Sequence, residues 1–225
     1  MIKGKYMRII ELKETVTASN DRDAAVLRAE LKEKGTLLIN LMASPGAGKT
    51  TLLERTIRDL KDRYRMAVME ADVDSDVDAV RIEKLGAKAV QAHTGGMCHM
   101  DAGMTRRALD ELGEDRFDLV VLENVGNLIC PAEFDTGAGK KVMLLSVPEG
   151  DDKPLKYPLM FSVSDVLIVT KTDVAPYFDF DFDACVRRAK QLNPDIQVFR
   201  VSAKTGDGFE DWENWLEKAI LDWKK

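Results

Sequence analysis

Several things are scarce in these 225 residues, and each scarcity excludes something. No apolar run approaches the ~18 residues of a membrane span. The opening Met1-Ile-Lys-Gly-Lys-Tyr lacks the apolar stretch of a secretory signal. A cytoplasmic chain without membrane association is therefore expected. Positive charge is not in excess: 33 Lys and Arg are mixed among 39 Asp and Glu, for a net charge of −6. That excludes the basic face of a nucleic-acid binder. Three cysteines are an odd number in a reducing compartment, which argues against a disulfide framework and leaves thiols for chemistry or metal binding. There is no internal repeat and no low-complexity linker. What remains, 45% hydrophobic and 32% charged residues, is ordinary for a globular chain with a full core. One domain over residues 1–225 is expected, with a helical extension over about 1–35.

Residues 19–34 read as an amphipathic helix behind the capping side chains Ser19-Asn20-Asp21. Strands are expected over 37–42, 65–71, 87–92, 117–123, 141–147, 166–170 and 196–201. Helices are expected over 49–63, 76–85, 101–112, 181–192 and 207–223. Strands alternating with helices at these spacings imply a mostly parallel α/β sheet with helices on both faces. Ligands of such sheets bind at the carboxyl ends of the strands. The loops after residues 42, 71, 92, 123, 147, 170 and 201 should then share one edge.

Ala43-Ser-Pro-Gly-Ala-Gly-Lys-Thr50 joins a predicted strand to a predicted helix, the context that a P-loop requires. Ser44, Gly46, Ala47, Gly48 and Thr51 belong to the phosphate cradle. Lys49 is placed to reach the terminal phosphates, and the Thr50 hydroxyl to ligate Mg²⁺. A Gly-rich turn opening a helix explains the glycines but not the Lys-Thr pair. Ala43 replaces the usual first glycine, which is tolerable if its φ stays negative. Thr170-Lys-Thr-Asp173 follows a strand and resembles the Asn-Lys-x-Asp guanine reader. Asp173 is placed to accept from two guanine donors that adenine lacks, with Lys171 along the base. Ser202-Ala203-Lys204 resembles its companion loop. Thr170 stands where an asparagine is usual, which puts one stabilising contact in doubt.

Two acidic residues end strands at the same edge. Glu123 is placed to face the nucleotide's magnesium, and Asp72 to hold magnesium-bound water or orient attack. Asp74 is a further candidate; with Asp76 and Asp78 it also reads as an acidic cluster at a helix start. Gly126 lies where a switch loop senses a γ-phosphate, and Cys130 follows four residues later. Cys98-His99 sits in the loop after 87–92. Thiolate and imidazole suit Zn²⁺ or Ni²⁺, although the spacing matches no zinc finger, and small buried thiols remain the competing explanation. His93 is a weak further ligand candidate. Cys185 reads as core.

Four long stretches carry a resemblance: Asn40–Thr50, Thr94–Ala102, Glu123–Phe134 and Ser146–Pro158. From about Ser19 onward the chain resembles the hydrogenase nickel-incorporation GTPase family, HypB. The resemblance implies a SIMIBI-type P-loop GTPase that couples nucleotide state to nickel delivery. It implies GTP/GDP with Mg²⁺, and Ni²⁺ or Zn²⁺ on Cys98, His99 and Cys130 at a homodimer interface. It implies a hydrogenase large subunit and a companion nickel-delivery protein as partners. It also implies that Lys153 approaches the nucleotide of the second subunit, against the plainer reading of a loop ion pair. The His-rich tract and N-terminal cysteine motif of some members are missing, so no nickel store is expected. If γ-phosphate moves Gly126, Cys130 should move with it, while Cys98 and His99, on a neighbouring loop, need not follow equally.

Other P-loop proteins fit less well. A small-molecule kinase needs an arginine-bearing lid. Urease-type nickel GTPases carry Cys-Pro-His in place of Cys98-His99. Partition-type ATPases have an early P-loop lysine where Ser44 and Pro45 stand. A nucleotide-gated scaffold with little hydrolysis remains a reading without catalysis.

Overall fold

The computed structural model describes residues 12–72, 77–113 and 115–225, with the backbone alone for 12–16, 72 and 77–79. In chain order the elements are α1 (Leu12–Lys34), β1 (Leu37–Ala43), α2 (Lys49–Leu60), β2 (Met66–Asp72), α3 (Val77–Lys84), β3 (Lys88–His93), α4 (Ala102–Glu111) and β4 (Leu119–Glu123). After these come α5 (Cys130–Glu133), β5 (Lys140–Ser146), α6 (Lys153–Lys156), α7 (Pro158–Val163), β6 (Val166–Thr170), α8 (Phe182–Leu192), β7 (Gln197–Arg200) and α9 (Phe209–Trp223). The seven strands form one sheet in the order β3-β2-β4-β1-β5-β6-β7, and every pairing is parallel.

Strand alternation sorts the core onto two faces. Leu37, Ile39 and Leu41 of β1 meet Leu52, Leu53, Ile57 and Leu60 of α2 and Phe209, Trp212, Leu216 and Ile220 of α9. These α2 positions recur at helical spacing, and each fully buried one contributes about 1.5–3 kcal/mol. On the opposite face, Leu38 and Val120 pack with Leu27 and Leu31 of α1. Met42 and Met143 there pack with Met160, Phe161 and Cys185. Burial pushes the Cys185 thiol up to about 11, so it stays protonated and unreactive.

The expected strands all form, with ends shifted by a residue or two. The expected helix at 19–34 begins instead at Leu12. Asn20 does not cap it; its side chain accepts from the Ala102 N–H and donates to the Asp135 carbonyl, both at 2.9 Å. Thus α1 straps two loops at the carboxyl edge of the sheet. Three short helices, α5, α6 and α7, fall in stretches read as loop, each with proline in its first turn. Proline there loses no hydrogen bond, and its fixed φ suits a helix start. No helix among the described residues is long and apolar enough to cross a membrane.

Candidate functional site

Strand β1 lies between β4 and β5. The chain leaving β4 must therefore cross the carboxyl end of β1, over the loop 44–48. There Gly46 and Gly48 hold φ of 74° and 98°, left-handed values that a side chain would strain. Ala43 ends β1 as ordinary strand and is absent from the positive-φ residues, so the missing first glycine costs nothing here. Lys49 and Thr50 open α2 beneath Glu123, which faces the α2 side in register with Leu41. The Thr50 hydroxyl donates to Glu123 Oε1 at 3.0 Å, and Lys49 Nζ lies 4.0 Å from the same oxygen. A hydroxyl beside a carboxylate is a hard-oxygen set of the kind that suits Mg²⁺. Asp72 closes β2 opposite His93; its side chain, like Asp74, Asp76 and the Asp78 side chain, lies outside the described residues.

Glu70 was not among the sequence candidates. It pairs with Glu123 across β2 and β4 and is 4% exposed. An acid inside the apolar run Met66-Ala-Val-Met was the available signal, since a buried carboxylate needs a reason.

Next to the P-loop lies a cavity of about 330 Å³, lined by Gly48, Thr51, Lys171, Asp173, Ala203 and Lys204 among others. Ser202 is buried and donates through Oγ to Asp173 Oδ1 at 2.7 Å. The Ser202 side chain therefore aims Asp173 rather than lining the cavity itself. Thr170 donates to the Ala47 carbonyl at 2.7 Å, so the hydroxyl supplies a P-loop tie where an asparagine was expected. Lys171 Nζ donates to the Gly46 carbonyl at 2.7 Å. Lys171 also holds φ 58°, the one positive value outside glycine among the described residues. That strain, about 1–3 kcal/mol, is typical of functional sites.

The turn at 94–97 is tied by the Thr94 hydroxyl to the Met97 carbonyl at 2.8 Å and delivers Cys98. Asp101 then caps α4, accepting from the Met104 N–H at 2.7 Å. Cys98 Sγ lies 3.7 Å from His99 Nδ1. One ligand atom each from Cys98, His99 and Cys130 fall within 4.8 Å of one another. His93 stands outside that group, exposed at the end of β3. His99 is buried and stacks on Phe134, with centroids 3.9 Å apart. Burial holds the imidazole below its ordinary pKa, against the pull of Asp101 and Glu133, which favours the neutral, ligating form. A hydrogen bond with Cys130, then burial, raises the Cys98 thiol; a soft cation would replace the shared proton. The exposed Met97 and Ile129 adjoin the two thiols in sequence.

Two hydrogen bonds join the loops. Asn124 Oδ1 accepts from the Met100 N–H at 3.3 Å, and Asn127 Nδ2 donates to the Cys98 carbonyl at 3.4 Å. Lys153 starts α6 with its ammonium 5.6 Å from the Tyr157 ring centre. The loop ion pair that was its plainer reading is made by Lys156 with Asp152, at 2.5 Å.

Residues 37–200 match the family model described as CobW/HypB/UreG, nucleotide-binding domain. The chain is 47% identical over 211 residues to the hydrogenase maturation factor HypB of Azotobacter vinelandii, covering 94% of this chain and 70% of that protein. The solved structure of Helicobacter pylori HypB in complex with nickel superposes with a TM-score of 0.85 at 39% identity, covering 92% of this chain and 98% of that one. The signal recognition particle receptor FtsY of Elizabethkingia anophelis, with GDP, matches at a TM-score of 0.53 and 14% identity, covering 84% of this chain and 69% of that one. At that identity the likeness concerns the fold alone.

Proposed function

The chain belongs to the CobW/HypB/UreG family of P-loop GTPases, among its HypB hydrogenase maturation factors, and on that premise we propose that it is a GTP-hydrolysing nickel carrier whose metal site is gated by its nucleotide. The observation that carries this is the segment Gly126–Cys130: its first residue packs so close to the P-loop that an added Cβ would collide with Pro45, and its last belongs to the thiol–imidazole group. A change at the terminal phosphate is thereby felt four residues from a metal ligand.

Ser44, Gly46, Ala47, Gly48 and Thr51 enclose the phosphates, and Lys49 neutralises the terminal one. Thr50 and Glu123, with Asp72, would hold Mg²⁺, which would supply charge stabilisation to the phosphates. Phosphoryl transfer needs mostly positioning and charge compensation. Asp173 reads guanine, aimed by Ser202, while Lys171 and the Ala203–Lys204 loop close around the base. Nickel, or zinc, is cargo on Cys98, His99 and Cys130. Three ligands leave the metal open to completion by a second copy of the chain, and Met97 and Ile129 give that contact apolar surface. The carrier would work with a hydrogenase large subunit and a companion nickel-delivery protein, as family resemblance implies, and Lys153 would reach the partner's nucleotide.

Phosphate release from GTP, together with nickel and zinc titration of the apo, GDP and GTP-analogue states and mass measurement in each, tests the reading. Lys49→Ala is expected to abolish turnover. Unchanged hydrolysis in that variant would refute the assignment of the site. Equal metal affinity and mass in all three states would refute the gating.

A further inference from the structure

Asn124 lies between Glu123, which meets Thr50 and Lys49, and the Val125–Gly126 step that rests on Pro45. It is 1% exposed. Its backbone N–H donates to the Leu41 carbonyl at 3.0 Å, which ties it to the P-loop strand. Its Oδ1 accepts from the Met100 N–H, one residue past His99, at 3.3 Å and from the Val125 N–H at 2.9 Å. Its Nδ2 donates to Asn40 Oδ1 at 3.0 Å. On the far side of Gly126, Asn127 donates to the Cys98 carbonyl and accepts from the Ile129 N–H at 2.8 Å, next to Cys130.

A buried amide pair retained for stability alone would have all its groups satisfied. Asn40 is 0% exposed, yet its Nδ2 has no partner among the described residues. Two apolar side chains of the same shape would carry no such penalty. The acceptor that Asn124 offers to Met100 is what an apolar pair could not supply.

We propose that Asn124, backed by Asn127, is the positioning residue that carries nucleotide state from the Gly126 loop to Cys98 and His99. This rests on the gating read above and deepens it. Cys130 shares the backbone of the Gly126 loop, so it needs no intermediary. Cys98 and His99 are on another strand's loop, and these two asparagines join that loop to the moving one. When Gly126 shifts, Asn124 Oδ1 and Asn127 Nδ2 shift with it, and the ligand set opens or closes as a unit.

The test is the ratio of metal affinities between GDP-bound and GTP-analogue-bound protein, measured with Zn²⁺ and Ni²⁺ against a competing chelator. Wild type, Asn124→Ala, Asn127→Ala and Asn124→Asp are compared. A wild-type ratio of roughly 5–150 is expected to fall to within about twofold of one in Asn124→Ala and to fall part-way in Asn127→Ala. Asn124→Asp keeps the acceptor for Met100, and the Asn40 amide can turn its unpartnered Nδ2 toward the carboxylate, so the ratio should survive there. A ratio that persists in both alanine variants, with affinity weakened equally in every nucleotide state, overturns the assignment and leaves the gating standing. A wild-type ratio of one overturns both. Should Asn124→Ala fail to fold, Asn127→Ala, at a half-buried position, decides alone: an unreduced ratio there rejects the proposal.

Discussion

A Cβ built on Gly126 would stand 2.9 Å from Pro45 Cγ and 3.1 Å from the Pro45 nitrogen. The loop after β4 thus packs against the Pro45 ring and backbone of the phosphate loop too closely to admit a side chain at Gly126. Gly126→Ala must displace one loop from the other. The cost in stability should stay near 1–3 kcal/mol, as for other overpacked sites. GTP hydrolysis should fall by ~10–100-fold, the loss that follows roughly 1 Å of misplacement. Single-turnover phosphate release beside a thermal melt checks this. A full rate in a correctly folded variant would mean the contact is incidental.

Asp173→Ala should weaken GTP by ~2–4 kcal/mol and leave ATP little changed, because only guanine offers the paired donors. Ser202→Ala removes the hydroxyl that aims Asp173 and should cost less, about 1 kcal/mol. Calorimetric titration with both nucleotides measures each. Equal affinity of the native chain for GTP and ATP would rule out Asp173 as the reader of the base.

The three cysteines should separate by role. Cys130→Ala removes a member of the thiol–imidazole group and should weaken Ni²⁺ and Zn²⁺ by more than the ~10–100-fold typical of losing a mere supporting contact. Cys185→Ala, in the core of α8, should leave metal affinity unchanged and cost ~1–2 kcal/mol of stability. Chelator competition and denaturant melts distinguish the two. Equal metal affinity in both variants would remove Cys130 from the site.

One pH effect lies away from the site. Burial, then the Asp59 carboxylate beside it, push the Glu213 carboxyl from 4.5 up to about 7. Between those values the folded chain keeps a proton that the unfolded chain has released. Stability therefore falls as pH rises through that window and levels off above it. Glu213→Gln never carries that charge, so its gain in melting temperature over wild type should be larger above pH 7 than near 4.5. A gain independent of pH would contradict this.

Much of this was legible in one dimension. Apolar runs of five to seven residues ending in Gly-Lys-Thr, Asp, Glu and Lys-x-Asp placed the strands of a parallel sheet and gathered the chemistry at one edge. That works because strand length and helix periodicity are local properties, and the direction of parallel strands then forces their carboxyl ends together. The short helices at Cys130, Lys153 and Pro158 were missed because they are shorter than any periodicity can reveal.

The candidate residues for phosphate were legible in the chain, because Lys-Thr after glycines has few other uses. For Cys98, His99 and Cys130 the family resemblance carried the metal reading, since their spacing alone suits small buried thiols as well. Which of them touch was a tertiary matter. Strand order, with β1 between β4 and β5, lays Gly126 on Pro45, and nothing local in the sequence specifies that order. Asn20 read as a cap and became a strap between two loops. Thr170 read as a loss and restored a P-loop tie. Asn40 and Asn124 read as nothing at all, and they join the two loops of the site. A polar side chain's partner is set by what the fold brings within 3 Å or so of it, and that distance does not exist until the sheet has closed.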